Sequence, residues 1–254
     1  MPYIERITRA GKTIEIERYF TSRYKKQGIK RGDKVKPTTE QQEKINTRQA
    51  ERKLRIMINA NYGYGDYHLV LDYIRKKGES PRTKEQMRQD VDIFLRECRK
   101  EYKKAGLELK YIHVMEIGKK GARHHHLVIN QIDTKILQQC WYKAYEGHNR
   151  VKVFPLDDSG QYAELAAYLI KYTGKHLKDR DGLQGKRWNC SKNLYRPEPE
   201  YNIINDREWF KAEARPIKGY YVDKNSISKG VHSPEYYGYG YFRYTLIQLD
   251  GEGG

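Results

Sequence analysis

The sequence has few of the features that mark secreted or membrane proteins. It contains three cysteines in 254 residues, Cys98, Cys140 and Cys190, and these are too few and too scattered for a disulfide framework or a CxxC zinc site. The first twenty residues lack the apolar segment of a secretory signal, and no stretch approaches the roughly 18 apolar residues of a membrane span. We therefore expect a cytoplasmic protein that does not bind membranes.

The sequence also lacks a nucleotide-binding loop and internal repeats. No GxxxxGK[ST] segment occurs, and that loop is what cradles the phosphates of ATP in many helicases. Without repeats, the chain is not a solenoid or a propeller. Because a domain takes roughly 150 residues, we predict one catalytic domain with extensions and no ATP-driven helicase domain.

Positive charge is in large excess. The chain has 50 Lys and Arg against 33 Asp and Glu, a formal net charge of +17. Such an excess favours a polyanionic partner and fast, salt-sensitive association. Nucleic acid is the leading candidate, although a solvated basic surface, a ribosome-like protein or a membrane-surface protein would carry a similar charge. Other features of the sequence must choose among these classes.

The order of predicted strands and helices indicates an α+β fold. The segment YHLVLDY, residues 67–73, is rich in β-forming residues. A helix follows it, because Thr83 and Gln86 match a capping box and apolar residues then recur at helical spacing. Later elements are the hairpin LKYIHVMEI–GKKGA–RHHHLVIN, a helix over 134–145, the strand VKVF and a helix over 162–173. In this order the helices cover an antiparallel sheet rather than alternate with parallel strands.

We expect three regions along the chain. Residues 56–195 form the catalytic domain. Residues 1–55 are polar and basic with little apolar periodicity, and we interpret them as a basic N-terminal arm or a loosely packed surface segment. Residues 196–254 form a Tyr-rich C-terminal extension that packs on or extends the domain. Its tyrosines either stack the bases of a single strand or lie on a strand that covers the domain: Tyr220, Tyr221, Tyr236, Tyr237, Tyr239, Tyr241 and Tyr244.

The predicted hairpin brings three possible metal ligands to one face. If it pairs symmetrically about its loop, Glu116 lies opposite His124, and His126 is the next residue on the same face, whereas His125 points to the other. Opposed Cβ atoms are about 4.5 to 5.5 Å apart and diagonal ones about 7 Å, which is close enough to share an ion. Two imidazoles and a carboxylate suit Mn²⁺ or Mg²⁺. Hydrogen-bonded strand histidines or an iron oxygenase site would use the same residues.

The last predicted helix carries two tyrosines and two lysines on one face. Tyr168, Lys171, Tyr172 and Lys175 stand at i, i+3, i+4 and i+7. A phenol with a pKa of about 10 is a poor nucleophile, and a nearby Lys or metal-held phosphate favours the phenolate. An amphipathic helix with packed tyrosines and exposed lysines would show the same spacing. A metal and a nucleophilic tyrosine are complementary parts of one reaction, so their joint occurrence favours attack on a phosphodiester.

These motifs resemble those of HUH endonucleases, in particular the rolling-circle replication initiators of plasmids and phages. RHHHLVIN resembles the family's His-hydrophobic-His strand, with His125 in the usually hydrophobic middle position. The place of Glu116 matches the carboxylate ligand of initiators from small circular single-stranded DNA replicons. YLIKYTGK resembles the motif Tyr-x-x-Lys-Tyr-x-x-Lys, YHLVLDY sits where the family has its first strand-borne motif, and KRWNCSKNL resembles a basic segment that often follows the tyrosine helix.

The resemblance implies a ferredoxin-like or RRM-like HUH nuclease fold and a set of site residues. It implies Tyr168 as the preferred nucleophile, with Lys171 beside it and Tyr172 as a second nucleophile or a packing residue. The metal ligands would be Glu116, His124 and His126. DNA would be bound by Lys175, Arg187 and Lys192.

The resemblance also implies an activity and its partners. The protein would cleave a single-stranded DNA origin, form a covalent 5′-phosphotyrosine, leave a free 3′ hydroxyl and later rejoin the strand. A host polymerase would extend the 3′ end and, since the chain has no ATPase of its own, a host helicase would open the duplex in the cytoplasm of a bacterial host. A transposase or relaxase would use the same chemistry, and a non-catalytic DNA-binding protein would share only the charge.

Overall fold

The computed structural model describes residues 3–21, 40–74, 77–118, 121–147, 149–176, 187–205, 213–231 and 240–249. The described residues form helices together with two five-stranded sheets, which confirms the predicted α+β class. None of the described helices is long and apolar enough to cross a membrane. Contacts divide the chain into two compact units, one of residues 1–44 and 196–254 and one of Ile45–Tyr195. The division into arm, domain and extension stays a prediction.

The described part of the chain begins with two strands, and helices and strands then follow in mixed order. In chain order they are β1 (Tyr3–Ala10), β2 (Thr13–Phe20), α1 (Glu40–Asn61), β3 (Tyr67–Tyr73), α2 (Lys84–Lys104), β4 (Tyr111–Ile117), β5 (Arg123–Ile129), α3 (Thr134–Ala144), β6 (Asn149–Pro155), α4 (Ala163–His176), β7 (Asn189–Cys190), β8 (Glu200–Ile204), β9 (Tyr220–Val231) and β10 (Gly240–Gln248). The elements predicted between residues 67 and 173 are therefore confirmed, with ends that differ by a few residues.

The second unit is built on an antiparallel sheet with the strand order β6-β3-β5-β4-β7. The histidine-rich strand β5 is at its centre, and β6 is an edge strand. Because successive side chains of a strand point to opposite faces, each strand contributes to two separate cores.

Helices cover both faces of this sheet. On one face, Leu71 of β3 and Leu127 of β5 are buried with Phe94 of α2 and Trp141 of α3. On the other face, strand residues pack against α1 and α4 in a second cluster that includes Leu54, Ile58, Ile112, Val114, Val128, Ala166, Leu169 and Ile170. The sheet is therefore the middle layer of a three-layer unit.

Helix α2 begins and ends as its sequence predicts. The Thr83 hydroxyl accepts a hydrogen bond from the backbone N–H of Gln86, and the Gln86 side chain accepts one from the backbone N–H of Thr83, which completes the capping box. Lys103 and Lys104 lie in the last turn, where positive charge is favourable. Gly106 follows with a φ of 72°, a conformation that glycine adopts at little cost.

The first unit contains the sheet β8-β1-β2-β10-β9. Its core holds Ile14 and Ile16 of β2 with Phe242, Tyr244 and Leu246 of β10. Strands β1 and β2 were not predicted from the sequence. Of the C-terminal tyrosines, Tyr220, Tyr221, Tyr241 and Tyr244 lie on β9 and β10, whereas Tyr236, Tyr237 and Tyr239 lie outside the described residues.

Two neighbouring aromatic residues of α3 test the assignment of the core. Trp141 is fully buried and Tyr142 is 60% exposed. Truncation of a buried Trp removes apolar contacts and leaves a cavity, so Trp141→Ala is expected to lower the free energy of unfolding by about 3 to 5 kcal/mol. Tyr142→Ala, the matched control, should change it by less than about 0.5 kcal/mol. Urea unfolding measures both, and equal losses would contradict the assignment.

Candidate functional site

The hairpin of β4 and β5 pairs in the predicted register. Glu116 lies opposite His124, and Val114 lies opposite His126. These residues share the face covered by α1 and α4, because Val114 packs in the same cluster as both helices. The predicted juxtaposition of Glu116, His124 and His126 is therefore confirmed, while their role as metal ligands stays a prediction.

Hydrogen bonds hold the three predicted ligands in place. Nε2 of His126 lies 2.5 Å from Oε2 of Glu116, and both side chains are buried. Nδ1 of His124 lies 2.7 Å from Oδ1 of Asp72. Within the described part of the chain, no three or more His, Cys, Asp or Glu side chains are arranged to hold a metal ion. The side chains instead form these hydrogen-bonded pairs.

Asp72 is the charged centre of the cleft. On β3 it lies opposite both His124 of β5 and Arg150 of β6. Its buried carboxylate accepts hydrogen bonds from His124, from Arg150 at 2.8 and 3.0 Å, and from Lys152 at 2.8 Å. Burial by itself would raise the pKa of Asp72, but the hydrogen bonds from its partners outweigh burial and bring the pKa well below its usual range. Asp72 is therefore ionised at neutral pH.

His68 extends the row of imidazoles toward the edge of the sheet. Its Nε2 lies 3.2 Å from Nδ1 of His126, and the two rings lie edge to edge with centroids 5.4 Å apart and planes 20° apart. Burial, together with the neighbouring His126, lowers the pKa of His68 to about 4. His68 is therefore neutral at neutral pH and orients the ring of His126 through a hydrogen bond.

Helix α4 places Tyr168 beside these imidazoles. The phenol ring lies edge-on to His126, with centroids 5.5 Å apart, and to His68 at 5.9 Å. Leu169 and Ile170 are buried, whereas Tyr168 is 38% exposed. The apolar stripe of α4 thus fixes the helix against the sheet and turns the preferred nucleophile toward the predicted metal ligands.

The other residues predicted on this helix are less fully described. Lys171 is exposed on the turn that follows Tyr168. Tyr172 and Lys175 belong to α4, but their side chains lie outside the described part of the structure. A second nucleophile at Tyr172 and a DNA contact at Lys175 therefore stay predictions.

One cleft contains most of the predicted site residues. It has a volume of about 610 Å³, and Glu116, His124, His126 and Tyr168 line it together with residues of β3 and β6. A larger cleft of about 920 Å³ surrounds Arg82 and contains none of the predicted site residues. We assign the candidate site to the smaller cleft because it unites the predicted ligands with the predicted nucleophile.

The basic residues predicted to bind DNA after α4 lie elsewhere in this unit. Nη1 of Arg187 donates to Oγ1 of Thr47 on α1 at 3.4 Å, and Lys192 is exposed just beyond β7. Strand β7 pairs with β4 at Ile112, four residues from Glu116, or ~13 Å along the strand. Neither Arg187 nor Lys192 lines the cleft, and their DNA contact stays a prediction.

His125 takes part in a buried network on the opposite face. The Tyr73 hydroxyl donates to Asp90 at 3.0 Å and therefore accepts from Nε2 of His125 at 2.8 Å. Nδ1 of His125 then accepts from Nε2 of His113 at 2.9 Å. Burial lowers the pKa of both histidines, that of His113 to about 3. Both nitrogens of His125 are thus used within the core.

Several polar and aromatic residues at the cleft were not predicted from the sequence. His68 and Asp72 of β3, Lys152 and Phe154 of β6 and Glu164 of α4 line the cleft, and Arg150 of β6 contacts Asp72. A signal was present in the period-two alternation of YHLVLDY and RVKVF, which places each set on one face. The sequence did not reveal that β6 pairs with β3 and that β3 pairs with β5. This pairing places the residues on the face that carries Glu116, His124 and His126.

A comparison with known protein families finds a match within the second unit. Residues 66–177 match the family described as replication-associated protein ORF2/G2P. The match begins one residue before β3 and ends one residue after α4, so it contains the predicted metal ligands and both tyrosines. No curated protein and no solved structure matches the chain. The similarity indicates a role in DNA replication.

The contact between Asp72 and His124 predicts the tautomer of that histidine. The carboxylate of Asp72 can only accept a hydrogen bond, so Nδ1 of His124 must be the donor. His124 is therefore expected to carry its proton on Nδ1 and to leave Nε2 unprotonated. Replacement of the carboxylate in Asp72→Leu should shift His124 toward the Nε2–H form. Long-range ¹H–¹⁵N correlation spectra of metal-free protein report the two forms, with the exposed Asp92→Leu as the control. An Nε2–H tautomer in the unmodified protein would contradict the assignment.

Proposed function

We propose that this protein initiates rolling-circle replication by nicking and rejoining single-stranded DNA through Tyr168. The observation that carries the proposal is the position of the Tyr168 ring, 5.5 Å from His126 in the cleft that also holds Glu116 and His124. The similarity of residues 66–177 to replication-associated proteins supports it. The net charge of +17 supports a polyanionic substrate.

The donors in the cleft fit a divalent ion such as Mn²⁺ or Mg²⁺. Glu116 and His126 face each other with a carboxylate oxygen and an imidazole nitrogen, and Asp72 orients His124 through Nδ1. Glu116, His124 and His126 would hold the ion, and His68 and Asp72 would orient the two histidines. When bound there, such an ion would polarise a non-bridging oxygen of the phosphodiester.

The proposed step is a transesterification at phosphorus. Oη of Tyr168 forms a bond to the phosphorus while the bond from phosphorus to the 3′ oxygen breaks. The phenol loses its proton and the departing 3′ oxygen gains one, so the products are a 5′-phosphotyrosine and a free 3′ hydroxyl. Attack of a 3′ hydroxyl on the phosphotyrosine reverses the step and rejoins the strand. One phosphodiester replaces another, so the step needs no ATP.

Cations near the cleft would stabilise the negative charge of the reacting phosphate. Arg150 and Lys152 share the single carboxylate of Asp72, and Lys171 is exposed one turn beyond Tyr168. Charge that develops on the phosphate in the transition state is favoured by such fixed positive groups. A host polymerase would then extend the 3′ hydroxyl, while a host helicase supplies the unwinding.

The nucleophile can be tested by the formation of DNA-linked protein. With Mn²⁺ and a library of single-stranded origin hairpins, a denaturing gel is expected to show a covalent adduct that Tyr168→Phe abolishes, because phenylalanine has no hydroxyl. Tyr142→Phe, which removes an exposed phenol of α3, should leave the adduct unchanged. An adduct that persists in Tyr168→Phe and disappears in Tyr172→Phe would move the nucleophile by one turn. DNA binding without any adduct would favour a non-catalytic binding protein.

The ligands can be tested by metal binding without DNA. Calorimetric titration with Mn²⁺ is expected to show one site, and His126→Ala or Glu116→Gln should weaken binding at least ~100-fold, because orienting neighbours alone are typically worth about 10- to 100-fold. The exposed Glu146→Gln removes the same charge outside the cleft and serves as the control. Unchanged affinity in both cleft variants would place the metal elsewhere.

A further inference from the structure

Strand β6 places one aromatic and two basic side chains in a row along the edge of the cleft. Arg150, Lys152 and Phe154 alternate with two valines, so they point to the same face of the sheet. Arg150 lies opposite Asp72, and Phe154 lies opposite His68. The row therefore shares the face that bears the candidate site.

The side chain of Phe154 is half-exposed, at 50%. Its ring stacks on His68 with centroids 5.6 Å apart and planes 29° apart. His68 in turn lies edge to edge with His126, with Nε2 of His68 3.2 Å from Nδ1 of His126 and the ring planes 20° apart. Phe154, His68 and His126 therefore form a continuous row of rings from the open edge of the sheet to the predicted metal ligands.

The two cations of the row are accessible to a further anion. The side chains of Arg150 and Lys152 are 57% and 40% exposed, and they share the one carboxylate of Asp72. Both cations thus share one ion-pair partner, Asp72, and Glu164 adds a further carboxylate to the lining of the cleft. A guanidinium has five N–H donors and an ammonium has three, so both retain donors for a phosphate.

We propose that this row binds a nucleotide adjacent to the cleaved phosphodiester, with its base stacked on Phe154 and its phosphate held by Lys152 and Arg150. The proposal rests on the function proposed above and specifies the conformation of the substrate there. A base that stacks on a protein ring must be unstacked from its neighbouring bases in the nucleic acid. The row therefore selects a single strand and places the scissile phosphate near Tyr168.

Binding of single-stranded DNA without divalent ions tests this proposal apart from cleavage. The probe is a fluorescein-labelled oligodeoxythymidylate in EDTA, measured by fluorescence anisotropy. Phe154→Leu keeps an apolar side chain but removes the ring and should weaken binding about 5- to 140-fold, as expected for one stacked base. Phe154→Trp, which retains a ring, should bind within about threefold of the unmodified protein. Tyr64→Leu, at an 82% exposed aromatic residue outside the cleft, is the matched control.

A spectroscopic readout separates stacking from a general loss of structure. A series of oligonucleotides carries a single 2-aminopurine, placed at a different position in each. One member of the series should lose fluorescence when saturated with unmodified protein or Phe154→Trp. The quenching should be absent with Phe154→Leu, whose thermal unfolding should match that of the unmodified protein. Equal affinity and equal quenching in Phe154→Leu would overturn the proposal.

The phosphate contact has its own measure. Lys152→Gln is expected to reduce the slope of log affinity against log salt by about 0.7, the value for one phosphate of a single strand. An unchanged slope in both Lys152→Gln and Arg150→Gln would overturn this part of the proposal. A covalent adduct with normal DNA binding by Phe154→Leu would refute only this inference. Phe154-dependent binding without any adduct would refute only the proposed nuclease.

Discussion

The antiparallel pairing of β5 with both β3 and β4 is the constraint on which the site depends. It sets Asp72, His124 and Glu116 side by side on three neighbouring strands. A shift of one residue in either pairing would turn an entire strand over. His125 would then face the cleft, while His124 and His126 would enter the core beside Trp141. Buried apolar residues on both faces of these strands pack against the helices that cover each face.

Histidines on the two faces of the central sheet have different environments. On the face covered by α2 and α3, His113 donates to His125 in a network that ends at Asp90, and burial keeps both histidines neutral at neutral pH. On the cleft face, the imidazoles contact carboxylates and a phenol at a partly open surface. A buried polar group is costly unless it is hydrogen-bonded. The network of His113 and His125 meets that condition within the protein, whereas the cleft leaves room for a substrate.

The charge of Asp72 links the two functions proposed for the cleft. One carboxylate contacts His124, which belongs to the proposed metal site, and also Arg150 and Lys152, which belong to the proposed nucleotide site. Because its partners favour the ionised form, the carboxylate fixes one histidine tautomer and draws two cations to the edge of the sheet. The side chains that would bind phosphate are thereby held beside those that would bind the metal.

The amino-acid pattern by itself determined the elements between residues 67 and 173, the register of the β4–β5 hairpin and the face shared by Glu116, His124 and His126. These features depend on local periodicity and a short loop, which a single stretch of sequence contains. Only the tertiary structure decided that β3 and β6 lie beside β5, that His68, Asp72 and Phe154 enter the cleft, that Tyr168 meets His126, and that residues 3–20 form two strands of a separate sheet. Such contacts join segments that lie far apart in the sequence, such as His68 and Tyr168. Many pairings of strands would satisfy the same alternation of apolar and polar residues. The choice among them is made by the packing of all layers together, which no local pattern encodes.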